Sequence, residues 1–231
     1  MKKIKVSNNG PYIIDGTISI QKITIEQDKE GNSVAWKDGE LKTITNPHLC
    51  RCGATNNAPF CDGSHIKINF NGDEAATNSP FFEEAQSIIG PVISLLDNEK
   101  FCAYARFCDT FGGIWNTVSS ATTEQEIERA KQQSKQCPSG RLIVWDNQNK
   151  PKLTGTSQES IGYIEDLYLK GSGPLRLLGN IEIQSENKDI SYEIREKVTL
   201  CRCGQSYNKP FCDGNHAPAK YKANYKQETD S

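Results

Sequence analysis

One internal repeat constrains this chain more than anything else in it. Residues 49–65 and 200–216, at a constant offset of 151, agree at 12 of 17 positions, which is duplication and not chance. Each copy reads Cys-x-Cys-x8-Cys-x3-His, with Cys50, Cys52, Cys61 and His65 in the first and Cys201, Cys203, Cys212 and His216 in the second. A further echo precedes each copy. Gly10-Pro11 followed by Gly16-Thr17-Ile18-Ser19-Ile20 matches Gly173-Pro174 followed by Gly179-Asn180-Ile181-Glu182-Ile183. The duplicated unit is therefore a β-rich leader plus a cysteine motif. About a dozen extra residues in the first copy fall in the polar stretch around Gln27 to Gly39.

The leaders predict short strands at Tyr12–Ile14, Thr17–Ile20 and Ser191–Leu200, where β-branched residues cluster or alternate between glycines. Neither leader is long enough to bury a core alone. Two packed together are, so the duplication predicts a pseudo-symmetric pair. Only 35% of the 231 residues are hydrophobic, which favours small units of the kind that metals hold together over one large apolar core.

Nine cysteines need a reason in such a chain. The count is odd, and the Cys-x-Cys pairs are awkward for mutual bridging, so metal ligation is the better reading. The net charge of −2 and pI near 6.0 supply no basic field for nucleic acid or an anionic membrane. No apolar region follows the basic start Met1-Lys2-Lys3-Ile4-Lys5, and no apolar run is long enough to span a bilayer. The expected compartment is the cytoplasm.

The spacing explains itself chemically. Cys-x-Cys puts two thiolates on one extended segment, close enough for a single metal ion. Cys61 and His65, like Cys212 and His216, lie four apart, so one helical turn brings each pair to one side. Gly53 and Gly204 suit tight turns. Arg51 and Arg202, each between two thiols, are candidates to offset the charge of a thiolate-ligated centre. His48 lies two residues before Cys50, but its counterpart is Thr199, so it reads as an ordinary solvated histidine. Zinc uses the same ligand types, although structural zinc sites favour Cys-x2–4-Cys knuckles.

The strings Cys-Arg-Cys-Gly, Pro-Phe-Cys-Asp-Gly-Ser-His and Pro-Phe-Cys-Asp-Gly-Asn-His resemble the CDGSH iron–sulfur family, the relatives of mitoNEET. The resemblance covers roughly the first 70 and last 60 residues. It implies one 2Fe–2S cluster on Cys50, Cys52, Cys61 and His65 and another on Cys201, Cys203, Cys212 and His216. Asn215 replaces the serine of the motif at a position that is not a ligand, and the membrane anchor of the mitochondrial members is absent.

Three more cysteines, Cys102, Cys108 and Cys137, lie between the repeats. Thr123 with Glu126 forms a capping-box pattern, and the helix it opens must stop near Pro138, leaving Cys137 on a turn. Arg141–Trp145 reads as a strand. Two cysteines six apart followed by a distant Cys-Pro are similar to single-cluster bacterial ferredoxins. The midway position that would carry a further ligand is Ala105, so the resemblance implies a 3Fe–4S cluster, or a 4Fe–4S cluster with a non-cysteine ligand. Asp109 is a nearby oxygen donor that does not match the vacancy. The competing reading is a small α/β insert with buried free thiols.

The expected architecture is α+β and β-rich, divided into a CDGSH unit at 1–77, a ferredoxin-like middle segment at 78–160 and a second CDGSH unit at 161–231. Electron transfer to a redox partner protein is the expected function. A neutral imidazole in place of a thiolate raises a cluster's potential, and its second nitrogen couples that potential to pH. The rivals are a carrier delivering clusters to apo-protein acceptors and a structural zinc module. No Gly-rich nucleotide fingerprint and no Ser/His/Asp constellation recommends a catalyst.

Overall fold

The computed structural model describes residues 2–226. The first unit comprises β1 (Lys3–Val6), β2 (Tyr12–Ile14), β3 (Thr17–Gln27), β4 (Ser33–Asp38), β5 (Lys42–Thr45), β6 (His48–Leu49) and the short helix α1 (Ser64–Lys67). The middle segment holds α2 (Phe81–Glu84), β7 (Gln86–Ile89), β8 (Ile93–Asp97), α3 (Ile114–Ser120), α4 (Glu124–Gln136) and β9 (Leu142–Asp146). The last unit contributes β10 (Ser160–Asp166), β11 (Gly171–Leu178), β12 (Glu182–Ser185), β13 (Ile190–Ser191) and β14 (Lys197–Leu200).

The two terminal units trade strands. In one sheet, ordered β13-β12-β1-β2-β6, the N-terminal β1 lies parallel to β12 of the other unit, with Lys3 opposite Glu182. In the second sheet, β14-β11-β10-β3-β4, β10 lies parallel to β3, with Ser160 opposite Ser19. Corresponding residues pair in the same register. Tyr12 faces Leu49 and Ile13 faces His48, just as Leu175 faces Leu200 and Arg176 faces Thr199. Strands β1, β2, β3 and β12 present alternate residues inward, because side chains on a strand point to opposite faces in turn. The inward set from both units forms one core that includes Ile4, Tyr12, Ile14, Leu49, Ile161, Leu175, Ile183 and Leu200. Neither unit closes this core alone.

Two expected strands came out differently. β3 runs on past Ile20 to Gln27 and turns back through Asp28–Asn32 into β4, so the extra dozen residues of the first copy form a hairpin. Its Trp36 packs on Phe107 of the middle segment at 4.8 Å and donates Nε1–H to the Gln136 carbonyl at 3.2 Å. Within Ser191–Leu200 only the ends are strand. Between those ends Tyr192 donates its hydroxyl to Glu74 and its backbone N–H to the Ile183 carbonyl at 2.9 Å, and the buried Arg195 lies over the Phe101 ring at 4.0 Å.

The middle segment is a three-stranded antiparallel sheet, β7-β8-β9, with α3 and α4 packed on a separate small core of Ile93, Leu95, Ile114, Val118, Ala130 and Leu142. Helix α4 starts at the expected capping box, with Thr123 and Glu126 satisfying each other's backbone N–H groups. It ends at Cys137, which is extended ahead of Pro138. The segment is not isolated from the rest, since Ala105 and Phe107 share a cluster with Ile23, Ile25 and Ile164.

Candidate metal centres

In each repeat the Cys-x-Cys pair follows the last strand of its unit, β6 or β14. The chain then doubles back, so that Cys50 N–H donates to the Pro59 carbonyl and Cys61 N–H to the His48 carbonyl, both at 2.8 Å. The second repeat reproduces this with Cys201 to Pro210 at 2.8 Å and Cys212 to Thr199 at 2.9 Å. The Ala58–Pro59 and Lys209–Pro210 peptides at the bend are both cis. Thr55 and Ser206 tie the loop by donating to the Phe60 and Phe211 carbonyls, each at 2.7 Å.

The motif aspartates carry a structural role that spacing arguments missed. Asp62 accepts from the backbone N–H of Asn56 at 2.9 Å and of Ser64 at 3.0 Å. Asp213 accepts likewise from Tyr207 at 2.7 Å and Asn215 at 3.1 Å. The available signal was the Asp-Gly pair itself, since Asp before a tight turn commonly satisfies nearby amides. These bonds, with Asn56 the largest contributor, hold the Asp62 carboxyl well below the ordinary carboxylate range.

Four donors face inward in each motif, and they come as two pairs. Cys50 and Cys52 Sγ are 3.7 Å apart, and Cys61 Sγ lies 3.3 Å from His65 Nδ1. In the second motif the same separations are 3.7 and 3.5 Å. Two thiolates bound tetrahedrally at about 2.3 Å to one metal stand about 3.8 Å apart, and a thiolate and an imidazole about 3.6 Å. Each pair therefore fits one metal ion. Among the described residues no three Cys, His, Asp or Glu side chains converge on a single ion. The S–H···S bond within each Cys-x-Cys pair is the largest influence on it, favouring ionisation of one thiol, Cys50 or Cys201, and holding its partner protonated. Backbone amides add to this in both motifs.

The expected helical turn forms at α1, which carries His65, whereas His216 sits on consecutive turns. Arg51 and Arg202 do not face the thiols. Both are 1% exposed and spend their donors on carbonyls. Arg51 reaches Ser7 at 3.0 Å and Gly72. Arg202 reaches Gly173 at 3.0 Å, Ile164 at 2.9 Å and the Glu165 carboxylate at 2.9 Å. They staple the motif to distant stretches of chain, because a buried guanidinium must find acceptors wherever its stem leads. His48 is exposed, as its lack of a counterpart in the second repeat suggested.

Where the repeats meet, Cys52 and Cys203 form a backbone bridge. Gly53 and Gly204 adopt φ of +80° and +78°, and a Cβ on either would stand 2.6 Å from the carbonyl oxygen of Cys203 or Cys52 respectively.

In the middle segment Cys102, Cys108 and Cys137 line one small cavity with Ala103, Ala105, Phe107 and Arg141. The loop alternates its backbone hand, with Tyr104 and Arg106 at φ +53° and +63°, so it curls around that cavity. Successive N–H groups in such alternations form concave anion sites. Burial, then the neighbouring Asp109 carboxylate, pushes the Cys108 thiol well up. Asp109 is exposed and does not line the cavity, so the structure leaves it beside Cys108 and outside the candidate site.

The family described as iron-binding zinc finger of CDGSH type matches residues 9–66 and again 172–217. The family described as divergent 4Fe-4S mono-cluster matches residues 88–147 between them. No curated protein and no solved structure matches the chain. Fold, donor sets and families together define an iron–sulfur protein. In particular, the chain carries two CDGSH-type regions separated by a divergent single-cluster domain. No helix among the described residues is long and apolar enough to cross a membrane.

Proposed function

We propose that this protein is an electron carrier built from two pseudo-symmetric CDGSH units at 1–77 and 161–231 and a ferredoxin-like middle segment at 78–160. Cys50, Cys52, Cys61 and His65 hold one 2Fe–2S cluster, and Cys201, Cys203, Cys212 and His216 hold the other. Cys102, Cys108 and Cys137 hold a third cluster of the three-iron type, because Ala105 offers no fourth ligand. A four-iron form at that site requires a ligand from outside this set. The observation that carries the reading is the pairing of donors at single-metal distance, two pairs per motif.

When bound, each cluster supplies a one-electron couple. The protein's own part is to fix the ligands on tied loops and to bury the second set of donors. The nine free thiols agree with a reducing compartment such as the cytoplasm.

Anaerobically purified protein is expected to be red-brown, with at least four irons per chain on the terminal sites. Colourless protein with stoichiometric zinc overturns the reading. EPR of the oxidised protein tests the middle site, where a three-iron centre is paramagnetic and a four-iron one is normally silent. A three-iron signal unchanged by Cys137→Ser excludes that ligand set. Cluster delivery is the second reading, favoured by the half-exposed His65. It is supported if the protein rebuilds an apo-ferredoxin with its own iron and sulfide.

A further inference from the structure

The two repeats match in sequence and in backbone geometry, yet the structure surrounds them differently. Gly63 and Gly214 occupy the same place in the motif, with φ +84° and +88°, and each N–H donates to the cysteine sulfur two residues earlier, at 3.5 and 3.4 Å. A Cβ on Gly63 would meet nothing within 4 Å. A Cβ on Gly214 would stand 3.2 Å from the Cys102 carbonyl oxygen and 3.4 Å from Tyr104 Cβ. The middle segment's cysteine loop therefore lies directly on the second motif.

Three further contacts hold it there. Asn208 Nδ2 donates to the Lys100 carbonyl at 2.9 Å. The Phe101 ring meets Phe211 edge-on at 5.1 Å, with Arg195 over both. Arg106 pairs with Asp166 of β10 at 2.7 Å, with both side chains largely buried. As a result Cys212 is 3% and His216 7% exposed, while Cys61 and His65 are only half-buried. Around His65 the chain exposes Ile66 and Ile68, where the second repeat has Ala217 and Ala219.

We propose that the Lys100–Arg106 loop is a cap that seals the C-terminal site and sets it directly against the middle segment's cysteine loop, leaving the His65 site as the more open of the two repeats. The duplication has thus produced two roles. The second site is internal, with Cys102 backbone touching Gly214 and Gly214 bonded to Cys212. The first faces outward. This inference rests on the iron–sulfur reading for its function but not for its geometry.

The test is differential thiol labelling of the purified holoprotein, with EDTA to draw out metal, iodoacetamide to trap the released thiols and peptide mapping over time. Cys50, Cys52 and Cys61 are expected to label on the order of tenfold or more faster than Cys201, Cys203 and Cys212, since the sealed site must first open locally. Phe101→Ala and, more gently, Asn208→Ala are expected to speed labelling of the C-terminal set only. Equal rates in the parent protein, a C-terminal set that labels first, or cap variants that speed both sets alike would overturn the proposal. Labelling order is read on the thiols whatever metal they hold. A colourless zinc protein that kept the order would therefore overturn the function above and leave the cap standing.

Discussion

Gly53→Ala measures how much the protein depends on contact between its two repeats, and Gly63→Ala provides the control. Both glycines sit at nearly the same left-handed φ, +80° and +84°, so an alanine at either incurs about 1–2 kcal/mol of backbone strain. They differ in surroundings. At Gly63 the new methyl enters open space, whereas at Gly53 it arrives 2.6 Å from the Cys203 carbonyl oxygen and 2.9 Å from its carbon. That obstacle is backbone and cannot rotate away, so the cross-repeat bridge must move. Overpacking of this kind adds about 1–3 kcal/mol. For a chain of this size each kcal/mol shifts a melting midpoint by about 2–4 °C. Gly63→Ala is therefore expected to lower the midpoint by about 2–8 °C, and Gly53→Ala by a further 2–12 °C or so. The assay follows loss of visible absorbance and far-UV ellipticity at one scan rate, on preparations matched for iron. Gly204→Ala, which meets the Cys52 carbonyl at the same 2.6 Å, should behave like Gly53→Ala. Equal midpoints for Gly53→Ala and Gly63→Ala would refute the claim that the repeats support each other through this contact.

Three other outcomes are expected. Mild acid should bleach the terminal sites in two phases, the half-buried His65 site first, because solvent protons reach it more readily than the buried His216 site and compete with metal for the ligand nitrogen. Burial, then the Arg202 charge, lowers His216 to about 4. The folded site thus resists protonation that the unfolded chain accepts, and stability should decline as pH falls below about 6.5 and on toward 4. His65→Cys should remove the early phase, and a single phase in the parent protein would contradict the assignment. Asp62→Asn should flatten the acid limb of stability. The native carboxyl is held below its unfolded value, so its contribution is present above about pH 4 and lost as pH falls below that; urea midpoints from pH 3 to pH 6 check this, and parallel curves would argue against it. Arg202→Met leaves Glu165 and two carbonyls without their buried donor, and should cost about 3–5 kcal/mol in urea unfolding; a loss below about 1 kcal/mol, the range of exposed pairs, would mean that the staple is incidental.

Much of the site was legible before any fold was known. Cysteines and histidines spaced Cys-x-Cys-x8-Cys-x3-His state their own chemistry, because ligand type and spacing are local properties of the chain. The offset of 151 sets His48 opposite Thr199, and the structure leaves His48 exposed. Capping of α4 at Thr123 and its end before Cys137 were equally local, set by side-chain bonds to neighbouring amides and by the restriction that Pro138 places on the residue before it.

What the tertiary structure decided lies in contacts between distant residues. Neither β1 nor β10 is among the strands expected from sequence, and nothing local says which neighbour a strand will pair with; β1 pairs with β12 and β10 with β3, each across to the other unit. Arg51 and Arg202 sit between thiols in sequence, yet their guanidiniums turn to acceptors far off in the chain, at Ser7 and Gly72 and at Gly173, Ile164 and Glu165, since a long side chain follows the acceptors that the fold supplies. The difference between the two repeats was hidden most completely. Gly63 and Gly214 are the same residue in the same motif at the same φ. Only the arrival of Cys102 and Tyr104, more than a hundred residues earlier in the chain, makes one crowded and leaves the other open. Local sequence determined what each motif can bind, and packing determined which of the two can be reached.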